Sequence, residues 1–210
     1  VYARGDMTKP LEMAPGEPRY FGIYRNAVAL KDPVTGEILG YEAQFVGKGE
    51  LVRGESLEDT PNAKGGFTSE YVPATVDILS TREEVRANDR LLPTPARGFL
   101  SYVPRAPEQP VSARVVSIYG GSAFANAAQN QVVAINLGRQ DGIESGHVLQ
   151  LLTGGQRIKD TTDEAKSMIK LPSEKNGMAM VFRTFDRVSY ALILSVRNQV
   201  RVGDTLVNPR

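Results

Sequence analysis

The chain has no cysteine, no tryptophan and a single histidine, His147. The first absence excludes a disulfide framework and every zinc or iron–sulfur site that needs thiolate ligands. It fits an oxidising compartment as well as a reducing one. The missing tryptophan, with few tyrosines and phenylalanines placed for exposure, leaves little support for a sugar-stacking platform. One histidine cannot build the two- or three-imidazole sites of catalytic zinc. Charge of one sign is absent too: 25 basic residues stand against 24 acidic ones, so no net field draws in nucleic acid or an anionic membrane. No apolar run approaches the roughly 20 residues of a membrane-spanning helix, and no signal peptide opens the chain. It starts at Val1, inside a strand-like run and without a methionine. This reads as a fragment, with a targeting signal and a further domain expected upstream.

What is present is β-pattern, and one stretch of it occurs twice. Residues 76–92 read VDILSTREEVRANDRLL and residues 191–207 read ALILSVRNQVRVGDTLV. At a constant offset they share Ile78 with Ile193, Leu79 with Leu194, Ser80 with Ser195, Arg82 with Arg197, Val85 with Val200, Arg86 with Arg201, Asp89 with Asp204 and Leu91 with Leu206. Eight identities in seventeen positions are well above chance. At 210 residues the chain can form two modest cores, so the expectation is all-β, with two similar small barrels or sandwiches in tandem produced by internal duplication. Closure into barrels would account for many short strands, because it removes exposed edges.

The expected division is a first module over 1–93, a proline-rich linker over 94–110 and a second module over 111–210. Prolines at 93, 95, 104, 107 and 110 remove amide donors and stiffen that joint. In the first module, strands are expected near 1–4, 20–30, 38–46, 50–53 and 73–80. The segment Asp32 to Glu37, DPVTGE, is a turn between two of them. Polar residues 54–70 read as a surface loop. In the second module, strands are expected near 113–119, 131–137 and 147–152, followed by a closing hairpin from Gly177. Residues 161–169, TTDEAKSMI, suggest a helical turn capped by Thr162, with Met168 and Ile169 facing inward. The two long polar insertions are expected at the same place on each module.

Catalytic patterns are thin. Gly142-Ile143-Glu144-Ser145-Gly146 does not have the spacing of a nucleophile elbow, and His147 reads as a surface or strand-edge residue. The acidic neighbours Asp141 and Glu144, Glu83 and Glu84, and Asp163 and Glu164 fall in apparent turns or polar loops. Paired hydrolytic carboxylates would face each other across a cleft. Asp89 and Asp204 occupy matching turns, where a short carboxylate accepts backbone N–H bonds. Gly120-Gly121-Ser122 and Gly154-Gly155 lack a phosphate-cradling pattern, so no cofactor is implied. Arg183, Arg187, Arg197 and Arg201 form a basic series in the last hairpin. Alternation places Arg183, Phe185 and Arg187 on one face and Phe182 with Thr184 on the other. A solvated outer face is one reading; an anion or polysaccharide contact through Arg183 and Arg187 is the sharper one.

The stretches MAMVFRTFDRVSYA at 178–191, DPVTGEILGYEA at 32–43, VVAINLGRQDGIESGHVL at 132–149 and the closing GDTLVNP at 203–209 resemble the C-terminal region of LysM-containing peptidoglycan-binding proteins of proteobacteria. The resemblance implies an exported protein of the periplasm or cell envelope, with the glycan-binding LysM repeat lying upstream of these residues. It implies a non-catalytic binding or scaffold region whose partner is peptidoglycan through that repeat, with another envelope protein as a further partner. Asn136-Leu137-Gly138, Asp141-Gly142, Gly146 and Gly203-Asp204 are more distantly similar to the C-terminal β-barrel of a periplasmic flagellar assembly protein, a protein-contact module. The rival class is a wall-active hydrolase using Asp141, Glu144 or Asp186.

Overall fold

A computed structural model describes residues 1–6, 8–61, 65–94, 102–120, 126–155, 157–162 and 167–209. Among these the chain is all-β, with strands, one 3-10 turn at Arg139–Asp141 and no α-helix. Its contacts divide it into two compact units. The first is Val1–Ala27 with Ala43–Gly98; the second is Val28–Glu42 with Phe99–Arg210. Residues 28–42, expected in the first module, therefore group with the second.

The strands of the N-terminal half are β1 (Tyr2–Ala3), β2 (Tyr20–Lys31), β3 (Ile38–Arg53), β4 (Ser56–Pro61), β5 (Phe67–Val72), β6 (Ala74–Thr81) and β7 (Arg90–Pro93). Five of them form a sheet in the order β1-β6-β3-β2-β7. Alternation decides the buried face: Phe21 and Ile23 on β2, Leu51 on β3, and Ala74 and Val76 on β6 point inward, with Leu11 and Leu91 packed beside them. Strands β4 and β5 pair with each other over residues expected to be loop. Their side chains are mostly exposed, as in a ribbon wet on both faces, so no burial alternation marked them in the sequence.

The C-terminal half contributes β8 (Ser112–Ile118), β9 (Val132–Ile135), β10 (Val148–Thr153), β11 (Arg157–Lys159), β12 (Met168–Lys170), β13 (Glu174–Thr184), β14 (Ser189–Val196) and β15 (Thr205–Val207). Six of these close into a barrel, β10-β13-β14-β9-β8-β15, which leaves no free edge in that sheet. Its interior is filled from alternate positions: Ala113 and Val115, Val133 and Ile135, Leu149 and Leu151, Ala179 and Val181, Ala191 and Ile193, and Leu206. A bulge in the β8–β9 register between Val115 and Ser117 sends Val116 to the outer surface instead.

Several expectations change here. Residues 163–166 of the expected helical turn lie outside the described residues, and 168–170 are strand β12, with Met168 and Ile169 exposed rather than inward. The two insertions form two-stranded ribbons rather than loops. Strands β4 and β5 lie between β3 and β6, and β11 and β12 lie between β10 and β13. Of the proline-rich segment, 95–101 lie outside the described residues. Beyond them, the Asn208 side-chain amide donates to the carbonyls of Pro107 and Gln109 at 3.0 Å each.

Candidate binding groove

Within the second unit, the tip of the β2–β3 hairpin lies against the barrel's outer surface. Asp32 shapes its turn: one carboxylate oxygen accepts the N–H of Val34 at 2.7 Å and of Thr35 at 3.0 Å, and Gly36 takes the positive φ that the turn requires. The other oxygen accepts the Asn136 side-chain amide at 2.7 Å. That bond first, and the two backbone donors after it, hold the Asp32 carboxyl below its ordinary range. Leu30 and Leu39 pack on Val116, Ala134, Val188 and Tyr190.

Tyr190 is the centre of the arrangement. Its ring stacks on Phe182 (centroids 6.5 Å apart) and meets the edges or faces of Tyr119 at 5.8 Å and Phe185 at 5.9 Å. Its hydroxyl donates to Glu42 Oε2 at 3.0 Å, and the Ser117 hydroxyl donates to the same oxygen at 3.1 Å. Burial, reinforced by the Glu42 charge, raises the phenol well above its ordinary value, so it stays a donor throughout the neutral range. Beside it opens a groove of about 330 Å³, whose walls include Leu30, Leu39, Tyr41, Phe185, Arg187 and Tyr190.

Both arginines singled out in the sequence come to this place. Arg187 lines the groove and reaches Glu37 at 2.8 Å. Arg183 lies outside it with its guanidinium over the Phe185 ring, 5.1 Å from the centroid. Arg197 and Arg201 do not line the groove; Arg201 bonds Asn126 at 3.1 Å. The expected face assignment fails at one point. A register shift between Val181 and Arg183 breaks the alternation of β13, and Phe182 and Phe185 both reach Tyr190 instead of pointing apart. The aromatic cluster itself was missed by the sequence reading, because its members come from separate strands and from this bulge. Tyr119 and Phe185 keep 44% and 40% of their surface exposed, so the cluster is open to a partner.

The carboxylates considered for hydrolysis are each engaged by a different group. Asp141 accepts the Gly138 N–H at 2.8 Å, Glu144 pairs with Arg105, and Asp186 lies 3.4 Å from Arg139. Asp163 and Glu164 lie outside the described residues. Among the described residues no group of three or more His, Asp or Glu side chains is placed to hold a metal ion. His147 is buried, at 5% exposure, rather than superficial. Its Nδ1 accepts the Glu144 N–H at 3.2 Å, its backbone bridges to Arg105, and burial followed by the Arg105 charge lowers its pKa. Comparison with protein-family models finds no match, and comparison with curated proteins finds no relative.

Proposed function

We propose that these residues form a non-catalytic binding region of an exported cell-envelope protein, that the region carries one β-module twice, and that the groove beside Tyr190 holds its protein or glycan partner. The observation that carries the binding reading is the open aromatic cluster of Tyr119, Phe182, Phe185 and Tyr190, with Arg183 on its rim and Arg187 in the adjoining groove. Aromatic faces and fork-shaped cations side by side suit a partner that offers both apolar surface and anionic or hydroxyl groups. On this reading attachment to peptidoglycan falls to a LysM repeat upstream, and the compartment is the periplasm or cell envelope.

Matching registers support the duplication. In the β3–β6 pair, Gly47 faces Thr81, Lys48 faces Ser80 and Gly49 faces Ile78, skipping Leu79. In the β13–β14 pair, Gly177 faces Val196, Met178 faces Ser195 and Ala179 faces Ile193, skipping Leu194. A second irregularity also recurs, between Leu51 and Arg53 and between Val181 and Arg183. Ile23 faces Leu91 as Leu151 faces Leu206. The Arg86 N–H donates to Asp89 Oδ2, and the Arg201 N–H to Asp204 Oδ2, both at 2.8 Å.

Retention on purified peptidoglycan sacculi tests the binding reading. Retention of residues 1–210, reduced about tenfold in the R183A/R187A double variant, would make the partner glycan. With no retention, photo-crosslinking from position Tyr41 in cells should capture an envelope protein. Release of soluble wall fragments, lost in D186A, would replace the proposal with a hydrolase.

A further inference from the structure

The two units differ by one strand. In the second, β8 lies between β15 and β9 and is antiparallel to both: Ala113 faces Leu206 and Ser112 faces Val207, while Val115 faces Ile135 and Ile118 faces Val133. On the duplication reading, on which this inference rests, β15 corresponds to β7 and β9 to β1. Ala3 faces Ala74 and Tyr2 faces Thr75 on β6, as Ile135 faces Ser189 and Ala134 faces Tyr190 on β14. In the first unit β1 and β7 are the two ends of an open sheet. Between them is a recess of about 990 Å³, walled by Val1, Ala3, Leu91 and Leu92, with Ile23 and Leu51 among its lining residues.

We infer that this recess is a vacant strand position, and that its occupant is an extended segment of the β8 kind entering ahead of β1 in chain order, as β8 enters ahead of β9. Three features argue for a strand rather than a small ligand. Both walls are strand edges, whose backbone groups take a further strand by ladder hydrogen bonding. The interior row of β8, Ala113 and Val115, is small and apolar, and the corresponding row here would cover Leu91 and Ala3. The adjoining turn is built in the same way. Val115 donates to the Asp204 carbonyl at 2.9 Å and accepts from the Gly203 N–H at 2.8 Å. The matching positions, Asp89 and Asn88, hold the same turn, with Asn88 at φ +74° where Gly203 has +93°. A new strand would meet a preformed end.

Hydrogen exchange on two proteins tests this: residues 1–210 with an added peptide of residues 111–119, and a fusion placing that peptide ahead of Val1 through a linker as long as the connection from Ile118 to Val132. The expected result is exchange slowed about tenfold or more at β1 and β7 in the fusion, with a weaker effect of free peptide, since tethering raises its effective concentration. A peptide shifted by one residue, which turns its apolar row outward, should protect neither strand. Protection by free peptide with none in the fusion would overturn the chain-order assignment in favour of a strand from another polypeptide. No protection in either would overturn the vacancy. If the shifted peptide protects as well as the matched one, the slot stands and the duplication reading that sets its register fails. A crystal structure of residues 1–210 with both bulge pairs in place, beside a negative exchange result, would leave the duplication standing without the slot.

Discussion

The Tyr190 hydroxyl donates to Glu42 Oε2 at 3.0 Å and so ties β14 of the barrel to the end of the hairpin tip that lies on it. Replacing Tyr190 with phenylalanine removes that bond and leaves Glu42 its hydrogen bond from Ser117. We expect a loss of about 1–2 kcal/mol, read by urea denaturation. The raised phenol adds a pH signature. A group whose folded pKa lies above its unfolded value contributes stability fully present below the unfolded value, about 10 for tyrosine, and lost as pH rises further. Stability of the parent protein should therefore fall more steeply above pH 10 than that of Y190F, and one tyrosine of the ultraviolet titration should be missing until the barrel unfolds.

Asp89 and Asp204 perform the same turn, but only Asp89 also holds a guanidinium: Arg25 bonds both of its oxygens at 2.7 Å. D89A should therefore lower stability more than D204A, as compared by denaturation midpoints. The Arg25 hydrogen bond depresses the Asp89 carboxyl below its ordinary range. Its contribution is present above the unfolded value, near 3.9, and is lost as pH falls through the folded one. The stability of D89N should be less pH-dependent than that of the parent below pH 4. The Asp32 carboxyl is depressed in the same direction through Asn136, so N136A should also flatten the acid limb.

The ion pair of Arg187 with Glu37 is largely solvent-exposed, with 40% and 58% of the side chains accessible. Such pairs contribute about 0–1 kcal/mol. R187A should leave the denaturation midpoint nearly unchanged while weakening the partner contact. A large loss of stability instead would make Arg187 a clasp for the hairpin tip rather than a binding residue.

Where neighbours in sequence are also neighbours in space, the fold was readable. Asp32 to Glu37 form the expected turn, and Asp89 and Asp204 accept the expected N–H bonds because an aspartate three residues on reaches back without help from the rest of the chain. Legibility ended where strands from distant segments meet. The Tyr190 cluster joins positions 119, 182, 185 and 190 and depends on a bulge that period-2 counting cannot anticipate. His147 is buried where Arg105, far away along the chain, pairs with its backbone. The likeness of β3 to β13 was hard to see in the sequence because, apart from Gly47 with Gly177 and Arg53 with Arg183, the residues at matching positions differ and it is the registers that agree.

That likeness makes a last prediction about two glycines. Gly47 and Gly177 sit at the start of the paired bulges, and in each a Cβ would run into a backbone carbonyl on the facing strand, that of Ser80 and that of Ser195. A flexible side chain could move aside, but a carbonyl fixed in a ladder cannot. G177A should cost about 1–3 kcal/mol through forced backbone displacement, and G47A should be affected in the same direction. Each is checked by thermal denaturation against G154A, where a Cβ would meet nothing within 4 Å and little change is expected. If G177A and G47A are as mild as G154A, the close approach of strands at these bulges is wrong, and with it the strongest support for reading the two units as copies.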